Sequence, residues 1–421
     1  MSITTAPVSG VVRDPRVRRR PLPRQDDATA RRRALTVLAL SIGAFGIGTT
    51  EFVAMGLLPY IAADFSVSEA VAGQVITAYA LGVVIGAPLI TAVTGRVPRR
   101  RMLLLLMAGF TLGNALTVFA SSHGMLMLSR FIAGLPHGAY FSVSALVAAS
   151  LAEPGKRGRA VALSGIGLAV ATVAGVPAAQ AIGARVGWHS AFAFVALVGV
   201  VTLGALWITV PHMVNMRPTS PLTELGALGR PQVWFTVAMG TVGFGGMFSV
   251  YTYISWTMTE VAGFPAEHMW IVLMAYGIGM VLGTYLGGAV ADRNLEYGIL
   301  GSFIAILLSL VAFHWTSQWA PAAIVNFGLV GFLGSTLVPN LQTRLMDVAG
   351  EAQTLAAALN QAALNLANAG GAAIGGAVIA AGFGYRAPSL AGAAMALTAI
   401  AIWVPAHILI TRSSRGRTVL E

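Results

Sequence analysis

ALTVLALSIGAFGIGTTEFVAMGLLPYI, residues 34–61, holds one charge, Glu51, and follows directly on Arg31, Arg32 and Arg33. As a helix, at about 1.5 Å per residue, it outspans the ~30 Å hydrocarbon core of a bilayer. The stretch therefore reads as a membrane-spanning helix anchored by arginine at one end. Eleven more apolar runs follow, at roughly 71–94, 102–120, 125–150, 160–183, 189–211, 232–257, 269–291, 297–315, 321–345, 354–382 and 389–411. Barrel strands would be about ten residues long and alternating. The expected fold is an all-α membrane protein of twelve transmembrane helices. Composition agrees: of 421 residues 56% are hydrophobic and 10% charged, with a mean hydropathy of +0.77, against about 25% charged in a soluble domain. The 49 glycines sit within the apolar runs, as is common in membrane helices.

The net charge of +11 could suggest nucleic acid, but its distribution suggests a membrane instead. With both termini cytoplasmic, 23 basic residues lie inside and only Arg185 and Arg386 outside, while Arg130 lies within a span. That asymmetry is the positive-inside signature, and no nucleic-acid partner is expected. Residues 1–33 carry nine arginines and no apolar signal core. A disordered, topology-setting tail that touches anionic lipid is favoured over a partner site or an organellar targeting segment. The spans form two sets of six, 34–211 and 232–411, with a linker at 212–231 and a short tail at 412–421. Arg96, after the second span, and Asp292-Arg293, after the eighth, fall in equivalent loops. Two six-helix halves in register are the layout of a two-fold transporter.

Much chemistry is excluded. Without cysteine there are no disulfides, thiolate metal sites or cysteine nucleophiles. Lys156, the only lysine, stands in Pro154-Gly155-Lys156-Arg157 and lacks the following Ser or Thr of a phosphate loop, while Ser150 occupies its earlier glycine position. Neither His-Glu-x-x-His nor Gly-x-Ser-x-Gly occurs, and the seven histidines show no metal-ligand spacing. The chain is not expected to be an enzyme or to hold a metal or cofactor; an ion gradient is left as the energy source.

Polar residues inside the spans mark the candidate site. Glu51 is the one acid well inside a span, where a carboxylate costs on the order of 2.5–3.5 kcal/mol and is functional by default. Counted from the outer ends, Glu51 lies about 14 Å deep, Arg130 about 8 Å and His137 about 18 Å. The spacing of seven puts Arg130 and His137 on one helix face. These three are the proton-coupling candidates. Arg130 could equally tie helices through backbone carbonyls, and His137 could be a packing residue beside Pro136. The second half offers amides and aromatics instead. Gln361, Asn365 and Asn368 share a face of span eleven, with Asn360 adjacent. Tyr251, Tyr253 and Trp256 lie on span seven, Tyr276 on span eight and Asn326 on span ten. Together they are the candidate substrate wall, although any one asparagine could serve only an interhelical hydrogen bond.

The stretches Gly48-Thr49-Thr50-Glu51-Phe52, Gly56-Leu57-Leu58-Pro59 and Ala133-Gly134-Leu135-Pro136-His137-Gly138 resemble the major facilitator superfamily, and within it the twelve-span drug:proton antiporter branch. The resemblance covers about residues 35–411 and extends to bacterial chloramphenicol, sugar and nucleoside exporters. Its loop motif, Asp-Arg then Gly-Arg-Arg, is matched by Arg96, Arg99 and Arg100, with Gly95 and Pro98 in place of the Asp and Gly; Asp292-Arg293 keeps the acid in the second half. Arg130 and Gly134 match the span-four motif, and Gly167 with Gly175-Val176-Pro177 the exporter motif of span five. Pro177 removes a backbone hydrogen bond, so span five is expected to kink.

The resemblance implies the major facilitator fold, two pseudo-symmetric six-helix bundles. It implies a proton-coupled antiporter of the bacterial inner membrane that exports small organic solutes of the chloramphenicol kind by alternating access. A sugar or nucleoside exporter and an uncoupled facilitator are the alternatives of the same fold. A receptor or scaffold without turnover, or an intramembrane enzyme, fits the short loops and absent nucleophile–base pairs less well. Expected partners are the solute, protons and the bilayer, with the chain working as a monomer.

Overall fold

Hydrocarbon offers the backbone no hydrogen-bond partners, so each apolar run closes its own ladder as a helix. The structure, a computed structural model, describes residues 30–93, 97–153, 157–211, 226–350 and 352–418. Twelve helices there are long and apolar enough to cross a membrane: α1 Ala30–Phe65, α2 Glu69–Ala87, α3 Arg99–Val118, α4 His123–Leu151, α5 Ala160–Val186, α6 Trp188–Thr209, α7 Pro231–Val261, α8 Ala266–Gly287, α9 Arg293–Thr316, α10 Ala320–Ala349, α11 Ala358–Phe383 and α12 Ala387–Leu409. The tail up to residue 29, Arg96, residues 212–225 of the linker and the side chain of Asp292 lie outside the described residues.

The internal repeat is visible in the packing. In the first half α1 lies against α5 and α6; in the second, α7 lies against α11 and α12 in the same way. The halves meet through two equivalent pairs, α2 against α11 and α5 against α8. Outward faces are apolar, with Leu105, Leu112, Leu197, Ile208, Leu308 and Val325 among the exposed side chains, as a lipid-facing surface requires.

Three boundaries differ from the sequence expectation. Arg31, Arg32 and Arg33, placed in the tail, form the first turn of α1. Arg32 Nε donates to the Thr209 carbonyl at 3.2 Å and the Thr36 hydroxyl to the same oxygen at 2.9 Å, which ties that turn to the end of α6. Beyond α12 the helix continues to Thr418 through residues assigned to the last tail. At the start of α9 a single residue, Asn294, leaves helical geometry (φ −159°, ψ 92°), so the expected loop is a sharp joint.

Two helices are interrupted where the site needs them to be. Pro136 caps the second segment of α4, which starts at His137. In α5, Ala171–Gly175 form a π-turn just ahead of Pro177, with Val176 N–H donating to the Ala171 carbonyl five residues back. The expected irregularity in span five is therefore a widened turn, a usual cause of a local bend.

The end of the bundle where α1 begins carries most arginines; the opposite end holds the seal between the halves. There the Ser255 hydroxyl donates to the Gly56 carbonyl at 3.1 Å and the Tyr385 hydroxyl to Glu69 Oε1 at 2.7 Å. About midway along both helices, Gly277 of α8 lies so close to α5 that a Cβ would strike the Thr172 carbonyl.

Candidate functional site

Glu51 is on α1 with 9% of its surface exposed, between the buried Thr50 and Phe52. Its carboxylate makes no hydrogen bond or ion pair among the described residues. Arg130 of α4, fully buried, does not pair with it directly. Instead Arg130 Nη1 donates to Thr50 Oγ1 at 2.8 Å and Nη2 to the Thr50 carbonyl at 2.9 Å. The Thr50 hydroxyl in turn donates a hydrogen bond to Asn114 Oδ1 at 2.5 Å. The guanidinium lies between two rings, 4.4 Å from the centroid of Tyr79 and 5.1 Å from that of Phe192. Its Nε has no hydrogen-bond partner among the described residues. Arg130 is thus held beside Glu51, within electrostatic reach of it, by the residue next door.

Tyr79 of α2 joins the candidates. Its ring carries Arg130 on one face, and its hydroxyl is 3.0 Å from His137 Nδ1. On the other side of the imidazole, Gln361 Nε2 lies 3.2 Å from His137 Nε2. A neutral imidazole has one donor and one acceptor nitrogen. With the Gln361 amide NH₂ donating to Nε2, Nδ1–H must donate to the Tyr79 oxygen; with the amide oxygen presented instead, both bonds reverse. A continuous polar path therefore runs from Thr50 through Arg130, Tyr79 and His137 to Gln361 in the opposite half.

The second-half candidates separate into three groups. Tyr251 and Tyr276 gather beside Phe52, the residue after Glu51: Tyr251 is stacked between Phe52 at 5.6 Å and Tyr276 at 4.4 Å, with Phe327 closing the cluster at 4.7 Å from Tyr276. Both tyrosines lie within electrostatic reach of the Glu51 carboxylate. Gln361, Asn365 and Asn368 line the inner part of α11, with Asn360 buried beside them. Asn365 Nδ2 donates to the Gln361 carbonyl at 3.0 Å, whereas Asn365 Oδ1 and both amide atoms of Asn368 have no partner among the described residues. Unpartnered buried amides are costly unless something binds them.

Tyr253, Trp256 and Asn326 lie apart from the Tyr251–Tyr276 stack and from the α11 amides. The Tyr253 hydroxyl is spent on the Ala372 carbonyl at 2.9 Å, and Trp256 stacks on Tyr253 and on Tyr385, so both belong to the seal. Asn326 bonds Ser309 and Thr316 and ties α10 to α9.

Among the gating candidates, Gly167 and Gly175 let α5 approach α1: a Cβ at Gly167 would meet the Ser41 carbonyl, and one at Gly175 would meet Thr49 and Phe45. Arg100 bonds the Trp207 carbonyl at 2.5 Å and lies 5.1 Å over that indole ring, fastening α3 to α6. Arg99 is half-buried and Arg293 exposed. Arg344, one of the 23 basic residues placed on the inner side, is fully buried in α10 and bonds Glu296, Gln232 and Thr236. Tyr79, Asn114 and Phe192 were not legible as site residues: each lies on an apolar helix, and only the packing reveals which way it faces.

The model of the Major Facilitator Superfamily matches residues 40–325. The inner membrane transport protein YdhP of Escherichia coli (strain K12) is 41% identical over 360 residues, covering 86% of this chain and 92% of that protein. A chloramphenicol resistance protein of Streptomyces lividans is 28% identical over 387 residues, covering 90% and 98%. In fold, the chain resembles a bacterial homolog of the human lysosomal transporter Spinster in an inward-facing, occupied conformation. The TM-score is 0.70 at 17% identity, over 90% of this chain and 97% of that one.

Proposed function

The chain belongs to the major facilitator superfamily, a family of membrane transporters and not of enzymes, and from that premise we propose that it is a proton-coupled antiporter exporting small aromatic organic solutes. It is a multi-pass protein of the bacterial inner membrane type. The reading places both termini in the cytoplasm, on the strength of the arginine asymmetry, so the sealed end faces outward.

One observation carries the proposal: a buried carboxylate without a hydrogen-bond partner among the described residues, Glu51, lies within electrostatic reach of the Tyr251–Tyr276 stack of the other half. A uniporter needs no titratable group there. When Glu51 is ionised, Arg130 is drawn toward it and loosens its hold on Thr50; when Glu51 is protonated, Arg130 rests on Thr50 and Tyr79. The Tyr79–His137–Gln361 path then carries that difference to α11, where Asn365 Oδ1 and the Asn368 amide, unpartnered among the described residues, await a polar group of the solute. The tyrosine stack favours a planar ring, and the amides a neutral polar substituent, a combination shared by chloramphenicol-like drugs and nucleosides but not by plain sugars. The chloramphenicol resistance protein among the relatives supports the first of these.

The test is solute uptake into inverted vesicles, or transport in proteoliposomes, under an imposed proton gradient. Wild type drives solute against its own gradient and moves protons in return. Uphill flux that persists after the proton gradient is collapsed would overturn the coupling.

A further inference from the structure

A groove of about 480 Å³ opens at the arginine-bearing end of the first half, between α1, α4 and α5. Its walls are aliphatic, and three of them, Leu38, Leu163 and Ile166, are 55%, 41% and 48% exposed. So much bare aliphatic surface is unfavourable in water and neutral in hydrocarbon. At the mouth stand Arg33 and Glu153. Glu153 is engaged in an interaction of its own, and Arg32, one residue away, is turned to Thr209 on α6. Arg33, half-buried, has no partner among the described residues.

We propose that this groove is a binding site for an anionic phospholipid, with an acyl chain between α1 and α5 and the phosphate against Arg33. The occupant follows from charge. A second copy of the chain or the chain's own leading segment, which carries six further arginines before Ala30, would bring cation to cation. The groove itself selects little, because a lipid chain moves from one hydrocarbon setting to another. Selection comes from the headgroup, and an arginine near a membrane surface is expected to give about a five-fold preference for an anionic lipid. This site stands apart from the proton path and does not depend on the coupling reading.

The test uses the full-length protein exchanged into mixed phosphatidylglycerol and phosphatidylcholine vesicles, with retained lipid read by native mass spectrometry. Wild type is expected to keep phosphatidylglycerol about five-fold over phosphatidylcholine, and Arg33→Gln to bring the two close to parity. Ala34→Trp fills the groove while leaving every charge in place, and should reduce retention of both lipids. Photoreactive acyl chains give a measurement on unaltered protein, with labelling expected at Leu38, Leu163 and Ile166. Wild-type selectivity in Arg33→Gln would overturn the headgroup assignment. Wild-type retention in Ala34→Trp, or labelling spread evenly over the lipid-facing helices, would show that the basic leading segment attracts lipid without a built site.

Discussion

Glu51→Gln keeps the size and hydrogen-bonding shape of a protonated carboxyl and removes its ability to ionise. Uphill efflux should be lost, while solute binding persists without its normal dependence on pH; wild-type uphill efflux in this variant would remove Glu51 from the cycle. Arg130→Lys is a sharper test of geometry. Lysine keeps the charge but cannot present two parallel N–H donors to Thr50 while lying flat on Tyr79. The lost charge-assisted bond is worth about 1.5–3 kcal/mol, so turnover should fall roughly tenfold or more, and proton leak should appear in vesicle pH measurements. Unchanged coupling would make Arg130 a helix tie only. The sequence displayed Glu51, Arg130 and His137 as candidates because ionisable residues are conspicuous in apolar runs. It did not display Tyr79, since a tyrosine among small residues reads as packing until a cation is seen on its ring.

Helices were legible because membrane spans announce themselves by length and by arginine at one side, and the two-fold layout followed from their number. Less legible were the features set by contact between helices. The first turn of α1 depends on the Thr209 carbonyl, almost 180 residues away in sequence, and the burial of Arg344 depends on Glu296 from the preceding span. The span-five irregularity was foreseen from Pro177, but its form, a π-turn at Ala171–Gly175, matters for what packs on it. Gly277 of α8 approaches Thr172 within that turn. Gly277→Val should push α8 from α5 about midway along both helices; overpacking of this kind costs about 1–3 kcal/mol. The chain has no native cysteine, so Gln180→Cys, at a fully buried position on the same helix, can report the opening. Its alkylation from the sealed side should accelerate in the Gly277→Val background, and an unchanged rate would separate this contact from the seal.

At the scale of the molecule, alternating access is an equilibrium between a form closed at this end and one open to it, and few polar contacts hold the closed form. Tyr385, in the turn between α11 and α12, donates to Glu69 at the start of α2, and so spans the two halves. Partial burial and its bond to Glu69 push the Tyr385 hydroxyl up to about 12. A raised value means that the donor keeps its proton throughout the neutral and mildly alkaline range and loses it only as pH approaches that figure. Alkaline media on the sealed side should therefore leave the latch donor intact. Tyr385→Phe removes the hydrogen bond and keeps the stacking on Trp256. A hydrogen bond to a charged group is worth about 1.5–3 kcal/mol, with the lower figure apt for a half-exposed site, so the ratio of open to closed forms should rise roughly tenfold. Spin labels at Val186 and Phe383, exposed at the same end on α5 and α11, can read the change as a distance distribution. A longer-distance population should grow in Tyr385→Phe, and the same shift should appear in Glu69→Gln if the two residues act as one latch. Distances that stay at the wild-type values in both variants would assign the seal to the helix contacts alone, Gly277 on Thr172 and Gly56 on Ser255, and leave Tyr385 without a part in the transition.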